Sequence, residues 1–259
     1  MKVTLLGTGT SQGVPMIAQY SKEIDWKNAK NWRTRSSVHV VMDGLHIQVD
    51  ATPEFRLQCL DNKITWIDLF ILTHGHADHI AGIDDLRRFC DLRGGKALPV
   101  HNTPEGLARV RSMFPYAILE QPKSKGYPAF SLEIMPSRWE LPEGTIASTL
   151  LENGDVNTLG LIFLEKSSEK KFSYYTDCKT VNANQQDQAK GSDLLVLDAL
   201  KFQSHRSHLS TEESVAIAKE IGAKHTYFTH LSSELDHKKV ETSLPKDIYL
   251  GYDGLTVNL

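Results

Sequence analysis

Cysteine is scarce in this chain. Its 259 residues include three, Cys59, Cys90 and Cys178, far apart and without a CxxC pair. A dispersed, odd-numbered set argues against a disulfide framework or a cysteine-based zinc site. No apolar run is long enough to span a bilayer, and strand-like residues follow Met1-Lys2 at once, with no signal-peptide core. The reading is a cytoplasmic protein with no membrane partner. The net charge is −3, with no obvious basic arm, so the general footprint of a nucleic-acid binder is missing. No Pro/Gly/Ser-rich linker or charge run divides the chain. With 40% hydrophobic and 24% charged residues it reads as a single domain, residues 1–259, around one sizeable core.

Histidine, by contrast, is concentrated. Thr73-His74-Gly75-His76-Ala77-Asp78-His79 packs three imidazoles and a carboxylate into one short stretch. The apolar run Asp68–Leu72 before it reads as a buried strand, and Asp84–Phe89 after it as a helix. Two residues apart in an extended segment, His74 and His76 point the same way and can share one metal. Asp78 and His79, where the chain turns, can face a second position close by. Nitrogen and carboxylate ligands suit zinc, manganese or iron.

HGHADH matches the HxHxDH signature of the metallo-β-lactamase superfamily, and the chain most resembles its PhnP-type phosphodiesterases from Met1 to Leu259. The resemblance implies an α/β fold, the four-layer αβ/βα sandwich of that superfamily, with two divalent cations, Zn2+ or Mn2+. It implies that Asp177, ending the strand-like Phe172–Asp177, bridges both cations, and that His230 joins Asp78 and His79 on the second. His208, within His205-Arg206-Ser207-His208-Leu209-Ser210, corresponds to the histidine facing the scissile phosphate. With Asp78 it makes the implied catalytic pair. Asp50, at the end of the strand Leu45–Val49, is implied to orient the metal loop by hydrogen bonds, and His205 to stand just behind the site.

Two segments depart from the family pattern. Where relatives carry a metal-binding histidine, this chain has Asn153, followed by Gly154 and, in register, Gly160-Leu161. An amide oxygen binds a borderline ion less well than imidazole, so the His74/His76 metal is expected to be weak. Many relatives also have a cysteine-rich, zinc-binding insert between residues 17 and 35; here Tyr20, Trp26 and Trp32 replace it, which predicts a loop held by aromatic packing without zinc. In the following Arg33-Thr34-Arg35-Ser36-Ser37, Arg33 is expected at the surface, and Arg35 is a candidate to order the glycine-rich Gly7–Pro15 turn. Asp43-Gly44 marks a hairpin between Val38–Met42 and Leu45–Val49, and Asp253-Gly254 a second one within Ile248–Val257. His101 is expected to be structural and His237 to lie in a loop.

The expected activity is hydrolysis of a small or cyclic phosphodiester by a metal-activated water, with His208 steadying charge or protonating the leaving oxygen. An RNA-processing endonuclease of the same fold is the enzyme alternative, which the acidic charge argues against. A ligand-binding protein with catalysis impaired by Asn153 is the alternative of another class. A homodimer stays open.

Overall fold

The computed structural model describes residues Met1–Leu259. The strands are β1 (Lys2–Gly7), β2 (Ser37–Met42), β3 (Leu45–Val49), β4 (Leu69–Ile71), β5 (Leu98–Asn102), β6 (Phe130–Ile134), β7 (Arg138–Leu141), β8 (Gly144–Asn153), β9 (Val156–Glu165), β10 (Lys171–Tyr175), β11 (Leu194–Asp198), β12 (His225–Thr229), β13 (Ile248–Leu250) and β14 (Leu255–Asn258). The α-helices are α1 (Phe55–Asp61), α2 (Ala77–Ile80), α3 (Arg87–Leu92), α4 (Pro104–Met113), α5 (Ala183–Ala189), α6 (Thr211–Ile221) and α7 (His237–Glu241). The strands form two sheets of seven, ordered β14-β1-β2-β3-β4-β5-β6 and β13-β12-β11-β10-β9-β8-β7.

Alternation along the central strands builds the layers. Leu69 and Ile71 of β4 enter the core between the sheets, while Phe70 and the following Leu72 face the helices outside. In β11, Leu194 and Val196 point to the same central core, and Leu195 and Leu197 point away from it. Phe55, Phe89 and Val110 of α1, α3 and α4 cover the first sheet, and Ala189, Ala218 and Val240 of α5, α6 and α7 cover the second. The result is the expected four-layer αβ/βα sandwich, which changes sheet between β6 and β7. No helix is long and apolar enough to cross a membrane.

The glycine-rich turn after β1 lies against residues 33–35. A Cβ on Gly7 would meet the Arg35 carbonyl oxygen at 2.0 Å, so only glycine fits there. Arg35 Nε donates to the Ser11 carbonyl at 3.1 Å and its guanidinium pairs with Glu54, so Arg35 does order this turn. The Asp253 carboxylate closes the arrangement: it accepts from Thr8 N and Oγ1 at 2.9 and 2.8 Å, and from Thr34 N and Oγ1, both at 2.6 Å. Residues 20–32 are held by aromatic edges, with Tyr20–Trp26 and Trp26–Trp32 ring centroids 5.7 and 6.0 Å apart.

Three local expectations fail. Ile248–Val257 is not a hairpin: β13 pairs with β12 in the second sheet, whereas β14 pairs with β1 in the first. The Asp253-Gly254 turn is real, but the Asp253 side chain is drawn to Thr8 and Thr34, and the chain crosses between sheets. Arg33 is buried, not superficial, because its guanidinium satisfies the carbonyls of Ser232 and Leu235 at 3.2 and 2.8 Å. His237 is buried as the first residue of α7, capped by Asp236, rather than free in a loop. His101, by contrast, is buried against Trp139 and near Glu133, as a structural residue would be.

Candidate metal centre

The site is assembled from strand ends, the usual place for binding in open α/β sheets. After β4, Thr73 N and Oγ1 donate to the Asp50 carboxylate at 2.7 and 2.8 Å. His79 Nδ1 lies 2.7 Å from Asp50 Oδ2. Asp50 thus grips both ends of the histidine loop and leaves His79 Nε2 as the nitrogen available to a ligand. Asp50, Asp177 and His230 all take left-handed backbone, with φ of 62°, 49° and 57°. Such conformations cost non-glycine residues about 1–3 kcal/mol each. Their clustering here, where the surrounding sheets hold them in place, aims Asp177 and His230 into one cleft and Asp50 at the loop behind it.

Asp78, His79, Asp177 and His230 offer ligand atoms that all lie within 4.8 Å of one another. His79 Nε2 is 3.2 Å from Asp78 Oδ2 and 3.3 Å from Asp177 Oδ1. His230 Nε2 is 3.1 Å from Asp177 Oδ1 and 4.0 Å from Asp78 Oδ2. Ligands about 2.1 Å from a tetrahedral zinc sit about 3.4 Å apart, close to these spacings. Both Nε2 atoms are buried and lack a hydrogen-bond partner. Two orphaned imidazole nitrogens between two carboxylates fit a divalent cation.

Protonation balances the charges of this cluster. Burial disfavours the His79 imidazolium, but Asp177, Asp50 and Asp78 outweigh it and hold its pKa well above the ordinary histidine value. For His230 the pull of Asp177 likewise overrides burial and raises the pKa to about 10. Burial pushes the Asp177 carboxyl up, yet His230 and His79 hold it well below the usual carboxylate range. A cation must displace the two imidazole protons, so its affinity rises with pH.

On the neighbouring side, His74 Nε2 and His76 Nδ1 are 2.9 Å apart. Burial, reinforced by His79, pulls the His74 pKa well below its ordinary value, which keeps the ring in the neutral, metal-binding form. Asn153 ends β8, is buried, and lines one cavity with His76, Asp78, Asp177, His208 and His230. Its Nδ2 donates to Thr158 Oγ1 at 3.3 Å, and its Oδ1 accepts no hydrogen bond from the protein. Only this amide oxygen is left to act as a ligand. Asn153→His is therefore expected to tighten metal uptake beside His74 and His76 by about 10–100-fold, the scale on which ligand surroundings tune affinity. Metal titration of both proteins reads this directly; identical isotherms would show that Asn153 does not occupy a ligand position.

His208 enters the same cavity from the loop between β11 and α6. Its Nδ1 is 2.9 Å from Asp198 Oδ2, which also accepts from Cys178 N at 2.8 Å. Nε2 is thus the nitrogen left for the cavity. The ring stacks on His230, with centroids 4.5 Å apart. Asp198 Oδ1 lies 3.8 Å from His230 Nδ1, so one buried carboxylate stands behind both rings. Sequence reasoning passed Asp198 over, although it closes a buried strand much as Asp50 follows one. His205 stays outside the cluster: its Nδ1 faces Ser207, and its ring backs His208 at 5.3 Å. Ser11, from the glycine-rich turn, and Arg206 also line the cavity, and neither was singled out from sequence.

Residues 46–231 match a family described as a beta-lactamase superfamily domain. Among solved structures, a diphosphatase from the PhnP family is 32% identical, covering 100% of this chain and 97% of its own, with a TM-score of 0.89. Zn2+-bound PqqB from Methylobacterium extorquens is 20% identical, with all of both chains covered and a TM-score of 0.81. The short form of human tRNase Z is 16% identical, covering 100% of this chain and 99% of its own at a TM-score of 0.71; at such identities the likeness is one of fold. A curated octanoyltransferase of Porphyromonas gingivalis is 31% identical over 260 residues, 98% of this chain, but the chain spans only 51% of that protein's length.

Proposed function

We propose that this chain, which belongs to the beta-lactamase superfamily as a PhnP-like member, is a metal-dependent phosphodiesterase acting on a small or cyclic phosphodiester. The observation that carries the reading is His208, fixed by Asp198 at 2.9 Å and lining the cavity of Asp78, Asp177 and His230. Asp78, His79, Asp177 and His230 would hold one cation. His74, His76 and Asn153, with Asp177 shared, would hold a weaker one. Bound cations would supply a nucleophilic water and neutralise charge on the phosphate oxygens. Asp50 keeps the loop rigid. Doubly protonated, with Nδ1–H held by Asp198, His208 would turn Nε2–H towards the position of the phosphate, where it steadies developing charge or hands a proton to the leaving oxygen. The capped start of α6 follows directly at Ser210, a setting favourable to anions.

Other readings draw less support. A net charge of −3 does not favour an RNA substrate. Octanoyl transfer is named for a protein about twice as long, and all three cysteines here are buried. Burial pushes the Cys178 thiol beside Asp177 well above its usual pKa, so no reactive thiolate is ready to carry an acyl group.

The test uses bis(p-nitrophenyl) phosphate and, as the contrasting ester, p-nitrophenyl octanoate. Turnover of the phosphodiester should disappear with EDTA and return with Zn2+ or Mn2+. Cleavage of the octanoate alone under every metal loading would overturn the phosphodiesterase reading.

A further inference from the structure

The two oxygens of the Asp177 carboxylate have different surroundings. Oδ1 lies 3.3 Å from His79 Nε2 and 3.1 Å from His230 Nε2, between the two orphaned nitrogens. Oδ2 accepts a hydrogen bond from Thr176 Oγ1 at 2.7 Å. Thr176 and Asp177 directly follow β10, and both side chains are buried. The first sheet offers a counterpart, where Thr73 Oγ1 donates to Asp50 Oδ2 at 2.8 Å. That bond stands behind the histidine loop, whereas Thr176 acts on a candidate ligand itself.

A buried threonine after a strand commonly needs no role. Its branched side chain suits extended backbone, and its hydroxyl can bond a nearby backbone group. Here the hydroxyl bonds a carboxylate instead, and the difference matters for a ligand. The left-handed backbone of Asp177, with φ of 49°, sets where its Cβ points but not the plane of its carboxylate. That last torsion is broad and soft. Unanchored, it would have to be ordered by the cation during binding, at a cost in entropy. The Thr176 bond involves neither His79 nor His230, so it holds Oδ2 whatever occupies the space between them.

We infer that Thr176 is a positioning residue for the metal centre: its hydroxyl fixes the plane of the Asp177 carboxylate so that Oδ1 is presented to the cation of Asp78, His79 and His230. The inference rests on the metal-centre reading. A hydroxyl donating to a carboxylate makes a charge-assisted bond, stronger than one between neutral groups. Oδ2 has more than one lone pair, so it can keep Thr176 and still serve the weaker cation beside His74 and His76.

Competition for Zn2+ between the loaded protein and a chromogenic chelator tests this without turnover. Thr176→Val keeps the shape and deletes the hydroxyl, and it should hold Zn2+ about tenfold or more weakly, as expected for the partner of a metal ligand. Thr176→Ser keeps the hydroxyl and should stay within about threefold of wild type, while Thr176→Ala, which differs from it by the hydroxyl alone, should fall with the valine variant. Ser173→Ala is the control within β10: it removes another buried hydroxyl, 2.8 Å from Ser192 Oγ and remote from the ligand set, and should leave the affinity unchanged. Melting in excess EDTA follows the fold without the cation. A merely structural role would lower the melting temperature of the valine and alanine variants with no rescue of Zn2+ affinity by serine. Wild-type affinity in folded Thr176→Val, or a Thr176→Ser protein as weak as Thr176→Ala, overturns the assignment and leaves the metal centre standing. A wild-type protein that holds no Zn2+ overturns both.

Discussion

His230→Ala is expected to abolish phosphodiester turnover and to lower metal affinity by more than about 100-fold, because altering even an outer partner of a metal ligand costs 10–100-fold. Its Nε2 is one of two orphaned nitrogens that face Asp78 and Asp177. Without the imidazole, the cluster keeps His79 as its lone nitrogen donor. The substitution also removes a positive partner from Asp177, one of the groups holding that carboxylate ionised in a fully buried setting. Destabilisation could therefore imitate loss of metal, and Asp78→Asn separates the two effects. Asp78 is the most exposed of the four and its change is nearly isosteric, so the fold should survive while metal is lost. Metal content by atomic absorption, with circular dichroism on the same samples, decides. Full metal content in folded His230→Ala would remove His230 from the centre.

His208→Ala should behave differently. The fold and metal content should stay at wild-type levels while kcat falls by about 10²-fold or more, the range for losing a general acid or a charge-stabilising donor. The ring is partly exposed and rests on His230 and His205, so removing it opens space at the edge of a cavity rather than in the core. Asp198→Asn is the companion variant. It keeps the volume behind His208 but exchanges a carboxylate for a neutral amide, removing the negative charge that favours the ring carrying both N–H groups. A smaller loss in kcat at unchanged KM is expected, whereas near-normal turnover in His208→Ala would exclude the residue from the chemistry.

The parts of the site legible in sequence are those written locally. The histidine loop lies between a short buried strand and a helical stretch, and spacing alone pairs His74 with His76. Glycine in that loop reads as a loop residue until the fold brings Arg109, thirty-four positions later in the chain, against it. Asp198 was opaque for a similar reason. A strand-final acid has a local explanation as a helix cap, and only the parallel pairing of β11 with β12 brings it to His208 and His230. Arg33 and His237 were misjudged because charge and loop composition suggest solvent, whereas distant carbonyls and Asp236 surround them. The failed hairpin shows the same limit from the other side: turn chemistry predicts that a chain reverses, not which sheet receives the next strand.

That last crossover also governs when the cleft can form. A ribosome releases β1 and its glycine-rich turn well before β14 and Asp253. Until residue 253 emerges, Thr8 and Thr34 lack the carboxylate that clasps them, and β1 lacks its outer neighbour. The turn that brings Ser11 to the mouth of the cleft is therefore left unfastened until that point. Every candidate ligand, from His74 to His230, has been synthesised before that fastening is possible. The order of synthesis makes the mouth the final part to close, so that the finished entrance takes shape only on a chain already carrying all the donors it serves.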